Sequence, residues 1–514
     1  MGFPQVTTRE WRAQVEKELA GAPFEKALVH RTAEGIAVQP LYTEGPAGAQ
    51  RVEPSAGPFR ICMRAEPQEI AEQLEGGADG LWIRTGTLDQ AAELARAKAI
   101  SVVFDAADGG STLVDPSGRK IPLVSTLAYH GAGADAADEI ALTLASVAAL
   151  LRRESETPKE ASVAGASGSS HAIGAQVAVG RDTFVELAKL RALRVCWQKL
   201  HAAAGTNDAS LVLHAVCSSR TLAQRDPWVN MLRVTTQVFA AVLGGADLVT
   251  PASFDQALGA PADLGRRVAR NTGLVLREEG QLGKVQDPAG GSYYLETLTD
   301  ALAREAWKRF QAIEREGGIG EAIASGRLRE QLEAKWHERL DGITKRRIPV
   351  LGVSEFANLT EKLPRAPHAE ADEPARRAGF PAHREGEPFE ALRLRADVLA
   401  TPPEVLLVTL GPLAESRPRA GFATNFFAAG GLRSRETTKD EAAAVACLCG
   451  SDEWYAAEAA ARARALKAAG CARVLLAGRP GDLEPQLREA GVDGFVYVGC
   501  DAVGILSELL EVSR

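Results

Sequence analysis

The chain has 514 residues and 54.4 kDa, of which 46% are apolar and 25% charged, a balance typical of globular proteins rather than of fibrous, disordered or membrane-spanning ones. Its net charge of −8, with no concentrated basic block, argues against nucleic-acid binding, where phosphate contacts dominate the affinity. The longest apolar run, residues 141–151, is too short to cross a bilayer, and without a basic-then-apolar leader we expect a cytoplasmic protein.

The first segment, residues 1–57, predicts a helix followed by an extended arm. Thr7 and Glu10 form a capping box, in which the two side chains satisfy amide groups that the first helical turn leaves free. An apolar residue then recurs every four positions, at Trp11, Val15 and Leu19. Gly21 ends this helix, and the stretch 35–42 reads as extended chain. One apolar stripe joined to an arm favours a contact with a neighbouring domain or subunit.

Short apolar runs alternate with helical patterns over residues 58–363. The predicted strands are 81–83, 100–104, 121–125, 173–178, 211–213 and 247–249. The predicted helices among them are 68–74, 136–151, 184–200 and 297–316. This alternation predicts parallel strands with crossover helices. Residues 154–170, rich in Ser, Ala and Gly, are expected to form a mobile loop.

A second domain is predicted after a break in composition. Residues 364–391 hold five prolines among many charges, and we interpret 364–398 as a linker. Over residues 399–514 predicted strands at 405–409, 443–448, 474–476 and 495–498 alternate with predicted helices at 420–429, 454–469, 483–490 and 503–512. The pattern predicts a five-stranded, flavodoxin-like parallel sheet.

Several short motifs are weak. Residues 131–136, Gly-Ala-Gly-Ala-Asp-Ala, fit a loose dinucleotide fingerprint, but a tight turn between a strand and a helix is the preferred interpretation. His130 and His214 each follow a predicted strand, where a barrel places chemistry, and Arg220 comes six residues after His214. A lone histidine at a strand end more often makes a local hydrogen bond, and we favour that interpretation for both.

The seven cysteines are sparse, and they do not form a disulfide framework or a metal motif. The closest pair, Cys447 and Cys449, lies inside an apolar run. We therefore interpret the cysteines as buried free thiols in a reducing compartment.

Longer strings are far more specific. They are Arg267–Thr272, Asp287–Glu296, Phe184–Ala192 with Trp197, and Gly244–Gly245 with Ser253–Asp255. Together with the N-terminal helix, the arm, the linker and the terminal sheet, they resemble the methylmalonyl-CoA mutase family in order over most of the chain. The resemblance implies a (β/α) TIM-type barrel threaded by a CoA ester, followed by a flavodoxin-like domain that carries adenosylcobalamin.

The terminal domain departs from the family pattern at the cobalt site. Catalytic chains of the family hold cobalt through a histidine in an Asp-x-His-x-x-Gly loop after the first strand of that domain. The matching loop here, residues 411–418, reads Gly-Pro-Leu-Ala-Glu-Ser-Arg-Pro, and the last histidine of the sequence is His383. Where catalytic chains carry a glycine pair for the cofactor tail, this chain has Ala477–Gly478. The resemblance therefore implies a degenerate cobalamin-binding domain without a metal ligand.

The barrel departs from the pattern near the substrate. A polar Gly-Thr-Gln-Ser-Leu-His-Thr-Asn string follows the glycine pair in catalytic chains, whereas this chain reads Ala-Asp-Leu-Val-Thr-Pro-Ala over 246–252. Asp247 and Thr250 therefore stand at positions where catalytic chains carry polar side chains near the substrate. A carboxylate at such a position would repel a substrate that is itself a carboxylate. Tyr129–His130 suggests the family's active-site Tyr-His pair, but its spacing to the following 132–134 turn is shorter.

The barrel also looks shortened. Only about 15 residues separate the predicted strand ending at Phe104 from the one starting at Ile121, whereas each strand–helix unit needs about 30. We expect a truncated barrel in which a complete CoA tunnel is hard to build.

These features identify the chain as a small, non-catalytic subunit type of the family. The resemblance implies an isomerase heterodimer that interconverts (R)-methylmalonyl-CoA and succinyl-CoA in propionate metabolism. Adenosylcobalamin and the acyl-CoA are expected on the catalytic large subunit, and no catalytic, cofactor or metal residue is expected on this chain. Neither a nucleic acid nor a membrane is an expected partner. The alternatives are an autonomous acyl-CoA mutase with atypical cobalamin binding and a mutase-derived scaffold protein.

Overall fold

The computed structural model describes residues 6–48, 52, 58–106, 109–156, 172–206, 210–364 and 379–512. They form a small N-terminal hairpin, a closed eight-stranded barrel and a separate five-stranded parallel sheet. The expected α/β class, with a TIM-type barrel followed by a flavodoxin-like domain, is thereby confirmed. No helix of the described part is both long enough and apolar enough to cross a bilayer.

The N-terminal segment begins with the predicted capped helix. α1 spans Thr8–Glu18, and Thr7 and Glu10 form the capping box. α2 (Phe24–Leu28) follows, and then an antiparallel pair of short strands, β1 (His30–Arg31) and β2 (Ala37–Val38). The arm lies on this chain's own barrel, because Glu34 accepts a hydrogen bond of 2.9 Å from the Ala136 amide and Tyr42 packs 5.3 Å from the Tyr294 ring.

Eight strands close the barrel. They are β3 (Arg60–Arg64), β4 (Gly80–Ile83), β5 (Ser101–Asp105), β6 (Ser111–Val114), β7 (Lys120–Ser125), β8 (Ile173–Val179), β9 (Leu211–Cys217) and β10 (Leu248–Thr250). They follow each other around the barrel in chain order, and β10 pairs in parallel with both β9 and β3.

The helices of this region cover the barrel. They are α3 (Ile70–Glu75), α4 (Leu88–Lys98), α5 (Leu127–Ala132), α6 (Ala136–Glu156), α7 (Thr183–Ala204), α8 (Val229–Leu243) and α9 (Asp263–Leu274). Three more follow it in sequence, α10 (Tyr293–Arg315), α11 (Gly318–Ala324) and α12 (Arg327–Thr344). Of the loop expected at 154–170, the first three residues belong to α6, and 157–170 lie outside the described residues.

The short gap between β5 and β7 is bridged by a strand rather than by a helix. β6 runs antiparallel to both neighbours, with Leu113 opposite Val103 on one side and Ile121 on the other. Antiparallel strands need only a tight turn, whereas a parallel pair needs a crossover of a dozen or more residues. The expectation of parallel strands alone was therefore wrong at β6. The barrel is short in sequence at this point, yet it closes.

Side chains fill the interior of the barrel. Apolar residues from seven different strands pack there, namely Cys62, Trp82, Val103, Leu113, Ile121, Val216 and Leu248. His214 lies among them, with its ring 5.5 Å from the Trp82 ring. The axis of the described barrel is therefore occupied by protein atoms where a threaded thioester would have to pass.

The terminal domain has a sheet of five strands, as predicted, although the strand at Arg433–Thr437 was not among the four that the sequence located. β11 (Glu404–Thr409), β12 (Arg433–Thr437), β13 (Val445–Cys449), β14 (Arg473–Ala477) and β15 (Gly494–Val496) are all parallel, in the order β12-β11-β13-β14-β15. The helices are α13 (Glu387–Asp397), which precedes the sheet, and α14 (Leu413–Ala429), α15 (Asp452–Trp454), α16 (Ala460–Ala468), α17 (Glu484–Glu489) and α18 (Ala502–Val512).

Only part of the predicted linker can be described. Residues 365–378 lie outside the described residues, and α13 occupies 387–397 with Phe389 fully buried against the terminal domain. The division of the chain into 1–57, 58–363, 364–398 and 399–514 stays a prediction.

Candidate functional site

A cavity of about 580 Å³ opens where several barrel strands end. Trp82, His130, Ser218 and Thr250 line it, and the Arg64 guanidinium lies 4.3 Å from the Trp82 ring. Barrel enzymes place their chemistry at the carboxyl ends of the strands, and β9 and β10 end directly beside Ser218 and Thr250. This cavity is the candidate site of the barrel.

His130 lies in the short helix α5 rather than at a strand end, which corrects the sequence interpretation. Its Nδ1 is 2.8 Å from Glu139 Oε1, and its Nε2 is 2.6 Å from Ser218 Oγ. The imidazole is buried, and both of its ring nitrogens have hydrogen-bond partners within the protein. The imidazole is therefore hydrogen-bonded within the protein, as favoured from the sequence, but its partners lie 9 and 88 residues away rather than nearby in the chain.

A buried charge network supports this histidine. The Lys189 ammonium lies 3.0 Å from Glu139 Oε1 and 2.5 Å from Glu186 Oε2, and it donates to the Ala178 carbonyl at 2.7 Å. All three charged side chains are buried. The sequence analysis missed this network, although Glu139 and Lys189 both interrupt apolar helical faces, which was the available signal.

The electrostatics of the network keep the imidazole neutral. Burial, followed by the charges of Arg220 and Lys189, holds the pKa of His130 well below its usual range. Ser218, His130 and Glu139 stand in the order of a nucleophile, a base and its orienting acid. An imidazole whose protonated form is disfavoured is a poor general base, however, because it must accept a proton to activate the serine.

Arg220 is a structural residue beneath the cavity. Its Nη1 donates to the carbonyls of His130 at 2.7 Å and Ala134 at 3.1 Å. Burial lowers the pKa of this guanidinium to about 10, which leaves it charged at neutral pH. It therefore ties the turn after α5 to the end of β9.

Residues 131–136 join two helices, α5 and α6, rather than a strand and a helix as expected. Gly133 has a φ of +128°, and a Cβ there would overlap the Leu332 carbonyl oxygen of α12. The glycine thus allows a close approach between protein segments, and the space that a pyrophosphate would need is filled by α12. This agrees with the preference for a tight turn over a nucleotide site.

His214 lies in the middle of β9, not at its end, because the strand continues to Cys217. Gln176 donates to its Nδ1 at 3.0 Å, and its Nε2 lies 2.8 Å from Thr250 Oγ1. Burial lowers the pKa of His214 to about 3. The ring is a neutral, hydrogen-bonded part of the barrel interior.

The His214→Gln variant should therefore show a weaker loss of stability in mild acid. The unfolded chain protonates this ring near pH 6.5 but the folded chain only near pH 3, so stability falls as the pH drops below 6.5. Between pH 7 and pH 5 the wild type should lose about 2 kcal/mol more than the variant. Urea unfolding at both pH values measures this, with the exposed His30→Gln as control. Equal losses in wild type and His214→Gln would contradict the prediction.

Asp247 does not face the cavity, which corrects the expectation of a repelled substrate. It immediately precedes β10, at the amino end of that strand, and its Oδ2 accepts from the Leu213 amide at 2.8 Å and from Arg194 at 3.0 Å. Thr250, three residues later, does line the cavity. The Tyr129 ring lies 5.2 Å from the Phe380 ring, apart from the hydrogen-bond network of the neighbouring His130.

The loop 411–418 of the terminal domain is largely exposed, and the Trp454 side chain packs against its start. Glu415 accepts a hydrogen bond of 2.7 Å from the indole of Trp454, and the same indole packs so closely on Gly411 that a Cβ there would overlap it. α14 already begins at Leu413, within the loop. No imidazole is present at this loop, and its one carboxylate is engaged by the indole.

The matching position for the cofactor tail is filled as well. Arg419 donates to the Ala477 carbonyl at 2.9 Å, and the Tyr455 hydroxyl donates to the same carbonyl at 2.6 Å. A Cβ at Gly478 would overlap the Arg419 guanidinium. Ligands of doubly wound sheets bind at this carboxyl edge, so the residues present here do not fit a cobalamin.

The cysteines are free and buried, as the sequence predicted. Cys447 and Cys449 both lie on β13. Within the described ranges, His, Cys, Asp and Glu side chains form no cluster that could hold a metal ion.

Comparison with known proteins agrees with this architecture. A family model described as methylmalonyl-CoA mutase matches residues 116–382. The methylmalonyl-CoA mutase small subunit of Streptomyces virginiae is 34% identical over 99% of this chain and 97% of its own length. The small subunit of Propionibacterium freudenreichii subsp. shermanii is 30% identical over 99% and 95%. The probable small subunit of Mycobacterium bovis is 40% identical over 74% of this chain and 63% of its own. The chain therefore belongs to the methylmalonyl-CoA mutase family and is of its small-subunit type.

Proposed function

We propose that this chain is the structural small subunit of a heterodimeric, adenosylcobalamin-dependent methylmalonyl-CoA mutase that works in the cytoplasm. The large subunit supplies the cobalamin site and the acyl-CoA site, and the complex interconverts methylmalonyl-CoA and succinyl-CoA. The cofactor, when bound to the large subunit, supplies the radical chemistry. The small subunit contributes stability and assembly contacts.

One observation carries this proposal. The sequence contains no histidine after His383, and the edge of the terminal sheet where a cobalamin would sit is filled by Trp454, Arg419 and Tyr455. A cobalt ion held from below needs an imidazole whose other nitrogen is oriented by a carboxylate. The terminal domain lacks the histidine ligand, and protein side chains occupy part of the edge where the cofactor would lie.

The barrel also supports placing the acyl-CoA site on the large subunit. Trp82 and Leu113 are among the side chains that occupy its interior, and burial, together with the charges of Arg220 and Lys189, holds the pKa of His130 well below its usual range. Binding of a CoA ester along the barrel axis would displace this packed core. The free energy lost by disrupting the core would exceed the free energy gained by binding the ester. The cavity of about 580 Å³ at the carboxyl ends of the strands, the mouth cavity, is bounded at its base by hydrogen-bonded side chains rather than by an open passage.

The isolated chain should neither bind adenosylcobalamin nor turn over methylmalonyl-CoA. Titration of the purified chain with the cofactor should give the spectrum of the free cofactor, and activity should appear only when the large subunit is added. The large subunit, titrated in the same way, is the positive control. A stoichiometric base-off spectrum or turnover by the isolated chain would overturn the proposal in favour of an autonomous mutase.

A further inference from the structure

A second cavity, of about 820 Å³, lies on the flank of the barrel between α8 and the segment 346–356. We call it the lateral groove. Its apolar lining includes Leu232, Leu351, Phe356 and Val498, and its charged lining consists of Arg181, Arg233, Arg346, Arg347, Glu355 and Glu385. It lies apart from the mouth cavity, and no motif of the sequence pointed to it.

The groove exposes large apolar side chains to solvent. Leu232 is 63% exposed, Leu351 48%, Phe356 74% and Val498 58%. Single exposed apolar residues are ordinary, but several lining one depression mark a surface that another molecule covers. The groove is therefore the kind of surface that a protein partner buries.

The segment that presents Phe356 is held in an unusual backbone conformation. Arg346 and Phe356, at its two ends, have φ values of +53° and +54°, and Gly352 between them has +77°. A bulky side chain in the left-handed region is a true outlier, since its Cβ crowds the following carbonyl. Strain of this kind persists where the surroundings over-determine it, and such sites are commonly functional.

Hydrogen bonds from three other elements fix this segment. The Pro349 carbonyl accepts from Arg181 at 2.8 Å, and the Leu351 carbonyl accepts from Arg233 at 2.5 Å. The Phe356 amide donates to Asn425 Oδ1 at 2.6 Å. Leu351 and Phe356 are thus presented on a rigid frame, which lowers the entropy that a partner must overcome on docking.

The charged side chains of the groove indicate which kind of partner segment it would bind. Its two carboxylates are already paired, Glu355 with Arg346 at 2.6 Å and Glu385 with Arg181 at 3.2 Å and Arg339 at 2.7 Å. Arg233 bonds to Asn230 and to a carbonyl, both uncharged. Arg347 pairs with Asp341 beside the groove, so Arg233 is the one lining arginine for which the described residues show no ion pair, and its positive charge complements an acidic segment.

The N-terminal helix alone is too small to hold a stable partner. Its apolar stripe consists of the half-buried Trp11, Val15 and Leu19, whereas a standard interface uses about 20–30 residues a side. A stable heterodimer would therefore need further apolar surface on this chain. The lateral groove supplies four exposed apolar side chains in one place.

We propose that the lateral groove docks a segment of the large subunit whose apolar side chains are flanked by carboxylates. The inference rests on the proposed function and names a second contact of the heterodimer, apart from residues 1–57. Phe356 is its central anchor, because it is the most exposed of the four apolar side chains. Paired arginines at the rim add steering and register.

The test separates the strain of Phe356 from its binding role. Phe356→Gly removes the ring and suits a positive φ, so it should unfold at the same or higher denaturant concentration than the wild type. The same variant should bind the purified large subunit about 30-fold more weakly in a calorimetric titration. Leu232→Glu, on the exposed face of α8, should weaken binding as well. Val398→Gly is the matched control, since Val398 is 76% exposed but does not line the groove.

Each result decides the matter. If the wild type binds and both groove variants bind equally well, the groove proposal is overturned and the proposed function stands. If the variants instead change only self-association of this chain in sedimentation, the occupant is a second copy and the proposal is again overturned. If the wild type does not bind the large subunit at all, the proposed function itself fails, and the groove loses its partner.

Discussion

A chain that lacks residues 1–45 should no longer copurify with the large subunit. No residue of α1 is buried, and the capping box fixes the start of the helix. The Trp11 ring packs only 6.2 Å from Phe24 of the neighbouring α2, so the stripe is shielded on one side by its own segment. An amphipathic helix held out in this way is stabilised by a surface that another chain provides.

Point variants of the same helix guard against an effect on folding. The arm also touches this chain's barrel through Glu34 and Tyr42, so the deletion removes intramolecular contacts as well. Trp11→Asp with Val15→Asp places carboxylates on the stripe without touching the arm and should weaken copurification strongly. Lys17→Asp puts the same charge on the opposite face and should leave it unchanged. Full retention of the large subunit by the deletion would refute the interface.

The fold could be predicted well wherever the chain follows a regular period. Both domains, the capping box at Thr7 and most strand positions follow from local pattern. The strand β6 was missed because a shortened gap suggested a truncated barrel. Yet Asp115-Pro-Ser-Gly118 is a turn signal between two apolar runs, and the Gly118 amide does bond to the Asp115 carbonyl at 2.8 Å. A β-hairpin fits into this short gap, because it needs fewer residues than a strand followed by a crossover helix.

The candidate site was harder, since its chemistry depends on distant pairs. Asp247 was assigned to the cavity from its place in a string, although a residue at the start of a parallel strand lies at the opposite end from the catalytic face. Ser218 was missed because the predicted strand stopped at 213, and β9 runs to Cys217. No local pattern indicates that Lys189 meets Glu139, because the partners are 50 residues apart.

Lys189→Met should be among the most damaging single substitutions in the barrel. Burial opposes the charge of Lys189, but Glu139 and Glu186 hold its pKa above the usual range, so the ammonium persists as their shared counter-ion. Removing it leaves two carboxylates in the interior, which costs about 3–5 kcal/mol. Chemical denaturation followed by circular dichroism measures the loss. Lys199→Met, exposed on the same helix and 4.2 Å from the Trp307 ring, should cost at most about 1 kcal/mol.

The pH dependence of that loss distinguishes a missing counter-ion from a simple packing defect. Burial raises the pKa of Glu139, and Lys189 is the largest of the groups that oppose the rise, ahead of Arg220 and the Ala178 amide. A folded-state pKa above the unfolded one adds stability as the pH falls, so the gap between wild type and variant should narrow from pH 8 to pH 5. Adding Glu139→Gln to Lys189→Met should recover part of the stability at pH 8. A constant gap at both pH values, with no recovery in the double variant, would mean that Lys189 acts through packing rather than as a counter-ion.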